Sequence, residues 1–398
     1  MLVEFSVTNF RSIRDKQTLS MVKGKGSELE ATHTFKPNAP SSETLLKSAA
    51  IYGANAAGKS NIIKALSMMK QIVVQPPNVG EKLPVVPFMF DPETPQQPTE
   101  FELVFISDNV RYQYGFSATA ERIWSEWLFA FPKGRSQRWF EREYYPQTGE
   151  YTWHLDTNLK GEKKVWRDST RDNALFLSTA AQLNSESLLL IYTFFDAIEE
   201  IRSDITSGLI SAATLADKEF KNLIISTLID ADVGILNIST EKKYGEIIKD
   251  GDPERDVNIY RKINGTTYTS KLENESDGTK ELFHLAAYLK GTLLNGCLLI
   301  IDEINAKLHP ALVRYLVGLF NSVEHNPENA QLIFTTHETS ILDQDILRRD
   351  QVWFCEKDEN QATRLYSLLD FKPRKGHENL EAAYLSGRYG AIPMINAR

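Results

Sequence analysis

The segment Gly53-Ala54-Asn55-Ala56-Ala57-Gly58-Lys59-Ser60 constrains this chain more than any other. It fits G-x-x-x-x-G-K-[ST], a loop whose backbone N–H groups cradle phosphates, whose lysine reaches the β- and γ-phosphates and whose hydroxyl ligates Mg²⁺. Chance supplies such a pattern in roughly one chain in a hundred of this length. Its flanks are those the motif requires. Ser48 to Tyr52 reads as a short buried strand, and Ser60 to Val73 as a helix with Ile62, Ile63, Ala65, Leu66 and Met69 at helical spacing. Gly53, Asn55, Ala56, Ala57, Gly58, Lys59, Ser60 and Asn61 are therefore expected to hold a nucleotide. Lys59, at the start of an otherwise apolar helix, also needs an anionic partner.

A second feature answers the first. Leu298-Leu299-Ile300-Ile301-Asp302-Glu303 is an apolar strand ending in two acids. Asp302 is expected beside Mg²⁺ together with Ser60, and Glu303 where it can orient or deprotonate water. A strand that merely ends in a polar turn is the plain alternative, and the phosphate loop upstream weighs against it. Around these acids, Thr279 to Leu294 and Ala311 to Val323 read as helices, and Cys297 to Ile301, Gln331 to Thr335, Val352 to Cys355 and Arg364 to Leu368 as strands. Such alternation indicates an α/β fold with a parallel sheet covered on both faces.

Between the two halves lies a different kind of chain. Prolines at 76, 77, 84, 87, 92, 95 and 98 exclude a regular element there. Thr99 to Trp153 alternates Phe101, Leu103, Phe105, Tyr112, Tyr114 and Phe116 at period two, which predicts an antiparallel meander. Ala174 to Ile201 and Leu215 to Ile229 read as helices, and Val233 to Ser239, Val257 to Ile263 and Thr267 to Leu272 as strands. At the start, Leu2 to Thr8 and Ser12 to Met21 read as two strands joined through Asn9-Phe10-Arg11. The expected organisation is a nucleotide domain in two pieces, residues 1–75 and 273–398, split by a large α+β lobe at 76–272.

Composition narrows the function classes. The 398 residues, 42% hydrophobic and 25% charged, suit a folded globular chain of two to three domains at about 150 residues each. A net charge of -8 argues against a generally basic nucleic-acid coat and leaves room for a local basic groove. Two cysteines, Cys297 and Cys355, form no CxxC pair. The first residues lack an apolar signal core, and no run approaches the roughly 18 residues of a membrane span. A cytoplasmic protein without a membrane partner is expected.

With these motifs in place the chain resembles the ABC-type ATPases of the RecF/SMC/OLD group, and most closely the RloA-like ATPases of bacterial defence loci. The resemblance runs over nearly the whole length. It identifies Asn9-Phe10-Arg11-Ser12 with an "NFRS" element and implies that Arg11 approaches the nucleotide; an exposed arginine in a hairpin turn is the alternative. Ser276-Asp277-Gly278-Thr279-Lys280 looks like the signature, departing from the commoner S-G-G-Q. A serine hydroxyl and a glycine N–H at a helix start still make an anion site, although an ordinary N-cap reads the same way. The resemblance implies that Ser276 and Gly278 serve the ATP of an opposing protomer, so that a homodimer or higher homo-oligomer closes on two nucleotides. Leu308-His309-Pro310 resembles the end of a D-loop, with Ala306 and Lys307 departing from it. His337 in Thr335-Thr336-His337-Glu338 matches the switch histidine that senses γ-phosphate. Gln113 is a weak Q-loop candidate, better read as a solvent-facing strand residue. Tyr384 to Pro393 resembles a motif of the RloA-like group, with no mechanism attached to it.

Two basic clusters remain: Lys163, Lys164, Arg167 and Arg171 around Trp166, and Lys133, Arg135 and Arg138 beside Trp139. Either could meet nucleic acid or a partner, but Glu162, Asp168 and Asp172 within the first favour a solvated face. The reading is an ATP- and Mg²⁺-dependent ATPase, catalytic through Lys59, Glu303 and His337, that regulates a separate effector in anti-phage defence. A RloB-like or Toprim-related nuclease is the effector implied. A RecF-type DNA-maintenance ATPase, or a scaffold that assembles on ATP with little turnover, is the alternative. The missing heptads speak against long SMC arms, and the 61 residues after His337 (398 - 337) are too few for a Toprim domain of its own.

Overall fold

A computed structural model describes residues 1–201, 218–230, 234–240, 257–376 and 378–393. The phosphate-loop strand Ser48–Gly53 sits inside a six-stranded sheet, between Gln331–Thr335 on one side and Val352–Lys357 on the other. Leu298–Ile301 follows beyond Gln331–Thr335, then Glu199–Ile201, all parallel; Thr363–Ser367 closes the other edge antiparallel. The strands Ser48–Gly53, Leu298–Ile301 and Gln331–Thr335 are buried on both sides, and the residues of the sheet alternate between two cores. Ala49, Ile51, Leu298, Ile300, Ile333 and Cys355 join one core. Ala50, Tyr52, Leu299, Ile301, Phe334 and Phe354 join the other.

The first core is filled by the helix Lys59–Val74, which buries Ile62, Ile63, Leu66, Met69, Ile72 and Val73. Behind it lies a seven-stranded antiparallel sheet in the order 150–155, 137–145, 123–131, 110–118, 99–107, 2–8, 17–20. The aromatic alternation expected of a meander is present as five strands, the first two joined by Asp108-Asn109, both at positive φ as a tight two-residue hairpin demands. The meander continues directly into Leu2–Thr8, so this sheet draws strands from both sides of residues 75 and 76. The side chain of Gln331 joins the two sheets: its Oε1 accepts from Leu2 N at 2.6 Å, and its Nε2 donates to Leu2 O and Leu46 O.

The second core is covered by helices Asp277–Asn295, Pro310–Asn321 and Lys218–Asp230. A small sheet of Asn237–Thr240, Val257–Ile263 and Thr266–Lys271 adjoins them, turning at Asn264-Gly265. Residues 215–217 of one expected helix and Val233 of one expected strand lie outside the described residues. No described helix is long and apolar enough to cross a membrane.

Some expected elements differ. The single helix over Ala174 to Ile201 is two, Phe176–Gln182 and Glu186–Asp196, followed by the edge strand Glu199–Ile201. Asn184 at positive φ ends the first, and Ser185 caps the second by accepting from Leu188 N. The strand expected over Ser12 to Met21 is only Gln17–Ser20, because Asn9 and Arg11 both turn at positive φ and Phe10 bridges Ile13. A short helix, Lys163–Ser169, runs through the basic cluster and buries Trp166.

Candidate active site

Two glycines are fixed by geometry. Gly53 has φ 155° and a Cβ there would meet Cys355 O at 2.4 Å; Gly58 has φ 106° and its Cβ would meet Thr363 Oγ1 at 2.0 Å. Only glycine permits so close a backbone approach. The loop turns again at Ala56, φ 62°. It ends in the long helix Lys59–Val74, whose first N–H groups are available to an anion.

Thr363 is also a strut. Its Oγ1 donates to Ala57 O at 3.0 Å and pairs with Ser12 Oγ at 2.7 Å, while Ser12 Oγ accepts from Asn61 Nδ2 at 2.6 Å. The N-terminal turn thus supports the loop through Ser12. Arg11 itself is exposed and lies elsewhere: its N–H donates to Val86 O, and it lines a cavity with Lys64, Ser67, Met68 and Gln71 along the outer side of the helix. Arg11 is not among the residues that line the phosphate-loop cleft.

Lys59 is 6% exposed. Its Nζ donates to Gly53 O at 2.8 Å and Ala54 O at 3.2 Å, and lies 3.0 Å from His337 Nε2. Burial pulls its pKa below that of a free lysine, opposed by Cys355, Glu303 and Asp302. His337 is also pushed down, first by desolvation and then by Lys59, with the two acids opposing.

The acids come from the strand Leu298–Ile301. Asp302 Oδ1 accepts from Ser60 Oγ at 3.1 Å and Thr335 Oγ1 at 2.6 Å, and Thr335 Oγ1 in turn accepts from Glu303 N at 2.7 Å. Glu303 has φ 58°, a costly conformation for a residue with a side chain, and is exposed on the cleft. Asn305 Oδ1 accepts from Thr336 Oγ1 and His337 N, fixing the backbone that carries His337. One open cleft of about 480 Å³ is lined by Asn55 to Asn61, Glu303, His337 and Lys357. Sequence reasoning missed Lys357, whose strand end carries no motif, and the strut Thr363.

Ser276 and Gly278 stand apart from this cleft. Ser276 caps the helix Asp277–Asn295, accepting from Thr279 N, and is exposed. A Cβ on Gly278 would lie 3.0 Å from Lys307 O, so the signature-like and D-loop-like segments touch each other. Gln113 donates to Glu102 within the antiparallel sheet. The first basic cluster is largely engaged locally: Lys163 on Asp156 O, Arg167 on Asp168, and Arg171 on Pro77 O. In the second, Arg138 pairs with Glu141.

The segment from Tyr384 is a structural clasp. Tyr389 OH donates to Glu378 at 2.5 Å beside the Arg388 to Glu378 ion pair, and both Tyr384 and Tyr389 stack on Phe354. A Cβ on Gly390 would meet Glu356 and Tyr366 OH at 2.7 Å, so only glycine fits there, at φ 66°.

A family model described as "AAA domain, putative AbiEii toxin, Type IV TA system" matches residues 48–343. No curated protein matches the chain. Among solved structures, it is similar to the SMC head domain from Thermotoga maritima (15% identity, 92% of this chain and 98% of that one, TM-score 0.42). It is also similar to Smc head domains with coiled coils from Pyrococcus furiosus, bound to the C-terminal domain of ScpA (13%, 93% and 97%, 0.41), and from Pyrococcus yayanosii (12%, 94% and 99%, 0.44).

Proposed function

The chain belongs to this AAA-domain family, and on that premise we propose that it binds and hydrolyses ATP with Mg²⁺, dimerises around the nucleotide and uses the cycle to control a separate effector. One observation carries the reading: Lys59 and Ser60, Asp302 and Glu303, and His337 come from three distant segments and converge at one glycine-bounded cleft. The residues fit the substrate. Lys59, held on two loop carbonyls, is the buried cation that the phosphates of ATP require. A hydroxyl on Ser60 and a carboxylate on Asp302, 3.1 Å apart, are hard oxygen donors of the kind Mg²⁺ takes when substrate phosphates complete its shell. Bound there, Mg²⁺ would neutralise charge on the phosphate oxygens.

Glu303, free on the cleft and held at its backbone by Thr335, accepts the proton of the attacking water. His337 accepts from Lys59 and stands where the terminal phosphate would end. Ser276 and Gly278, outside the cleft of their own chain, are available to a second copy. A toxin of a type IV system, named in the family's description, accords with a role in cellular conflict, and the effector would be a nuclease or toxin on another chain. In the first basic cluster Lys163, Arg167 and Arg171 are held on neighbouring groups, which favours a protein partner over nucleic acid there.

The test is Glu303→Gln. ATP binding should persist, phosphate release should fall by roughly a hundredfold or more, and the protein with ATP should elute as a dimer. Elution as a monomer would overturn the two-copy arrangement, and wild-type phosphate release would overturn the role of Glu303.

A further inference from the structure

Lys357 ends the strand Val352–Lys357, which lies parallel to the phosphate-loop strand with Cys355 opposite Gly53. At Gly53 the central strand leaves the sheet, while its neighbour runs two residues further, so Lys357 overhangs the loop. Alternation places Lys357 on the same face as Cys355. That face packs with Ala57 and Ile51 against the phosphate-loop helix, whereas Phe354 faces the other core.

Lys357 is half-buried and lines the cleft. Among the described residues its ammonium has no hydrogen-bond or ion-pair partner. The neighbouring acids are committed elsewhere. Glu356 accepts from Tyr366 OH and Ala391 N. Asp358 accepts from the N–H groups of Asn360 and Ala362 and lies 3.7 Å from Arg14 and 3.8 Å from Arg364. A half-buried cation without a counter-ion, in a cleft built for phosphate, calls for an anion from the ligand.

The strand order says which part of the ligand. Leu298–Ile301 and Gln331–Thr335, which deliver Glu303 and His337, lie on one side of the phosphate-loop strand, and Val352–Lys357 lies on the other. A polyphosphate whose terminal phosphate points to Glu303 and His337 extends its nucleoside end toward Lys357. We propose that Lys357 binds the α-phosphate end of the nucleotide, a second cation opposite the hydrolytic residues that grips nucleoside diphosphates and triphosphates alike. The assignment rests on the ATP-binding reading above and adds to it: Lys357 holds the part of the ligand that survives hydrolysis.

The experiment is calorimetric titration of the whole chain with MgATP and with MgADP. Lys357→Ala should weaken both by the same factor, roughly fivefold to tenfold, with a shallower salt dependence. Lys357→Arg should restore most of the affinity, and Lys357→Gln should repeat the loss in a side chain of similar length. His337→Ala, by contrast, should weaken ATP more than ADP. Unchanged affinity in Lys357→Ala and Lys357→Gln, or a loss confined to ATP, overturns the assignment while leaving ATP binding intact. If the wild-type chain takes up neither nucleotide, the ATP reading itself falls and the Lys357 assignment falls with it.

Discussion

Nζ of Lys59 lies 3.0 Å from Nε2 of His337, so the imidazole accepts from an ammonium and has to be neutral. Desolvation and then Lys59 hold its pKa below the ordinary 6.5. His33, buried and bonded to Ile346 O, is lowered in the same direction, chiefly by burial. Below pH about 6.5 the unfolded chain binds protons that the native histidines refuse, so stability rises with pH across that window and falls as the solution is acidified. Urea midpoints of the nucleotide-free protein should drop between pH 7.5 and 5.5, and His337→Gln should show a smaller drop. An identical slope in the variant would remove His337 from this account.

Thr363 supplies a second expectation. Thr363→Ala removes the donor to Ala57 O and the partner of Ser12, and should cost about 1–2 kcal/mol by denaturant titration. Gly58→Ala should be worse and should abolish nucleotide binding, since the methyl would meet Thr363 Oγ1 at 2.0 Å and φ would stay at 106°. In the double variant Gly58→Ala/Thr363→Ala the two closest atoms are gone, but the Cβ at position 363 stays 2.9 Å from the new methyl and the strained φ remains, so binding should return only in part. Full recovery would show that sterics alone demand this glycine.

In the antiparallel sheet, Glu126 and Arg142 form a buried ion pair at 3.0 Å with side chains 0% and 1% exposed. Glu126 also accepts from Phe176 N, Leu177 N and Tyr114 OH, anchoring the start of the helix Phe176–Gln182. Glu126→Leu leaves Arg142 uncompensated and should cost about 3–5 kcal/mol. Adding Arg142→Met should recover only part of this, because the two amides stay orphaned. Thermal denaturation of the single and double variants decides it.

The two-copy arrangement makes a prediction that no single variant can. Lys59→Ala and Ser276→Arg should each be inactive alone, yet mixing them should restore phosphate release, since a mixed dimer contains one cleft with an intact Lys59 facing an intact Ser276. A mixture as inactive as its components would refute catalysis across two chains.

The features legible in sequence were those with short-range signatures. The phosphate loop, the strand Gln331–Thr335 and the strand Val257–Ile263 lie where periodicity put them, because apolar runs bounded by turns leave little choice. The break at Asn184 was hidden inside a continuous helical pattern, and a left-handed asparagine followed by a capping serine overrode it. The pairing of Leu2–Thr8 with Thr99–Ser107 has no local signal at all. The same holds for Thr363 and Lys357, which reach the loop only because two strands far apart in sequence lie together. The motif around Arg11 was readable as well, but the positive φ at Asn9 and Arg11 and the cavity that Arg11 lines beside the phosphate-loop helix had no sequence signal.

The sheet order has a consequence for how the chain is made. The phosphate-loop strand Ser48–Gly53 has as its neighbours Gln331–Thr335 and Val352–Lys357, so during synthesis it waits for nearly three hundred further residues before either partner exists. Leu2–Thr8, in contrast, pairs with Gln17–Ser20 at once and finds Thr99–Ser107 early, so both can assemble with the meander on the ribosome. Non-local parallel pairing is slow to form. The apolar helix Lys59–Val74 would therefore be sheltered on one side long before the other is covered, and a nascent chain interrupted before residue 331 would hold a finished antiparallel half beside a nucleotide strand with no sheet to join.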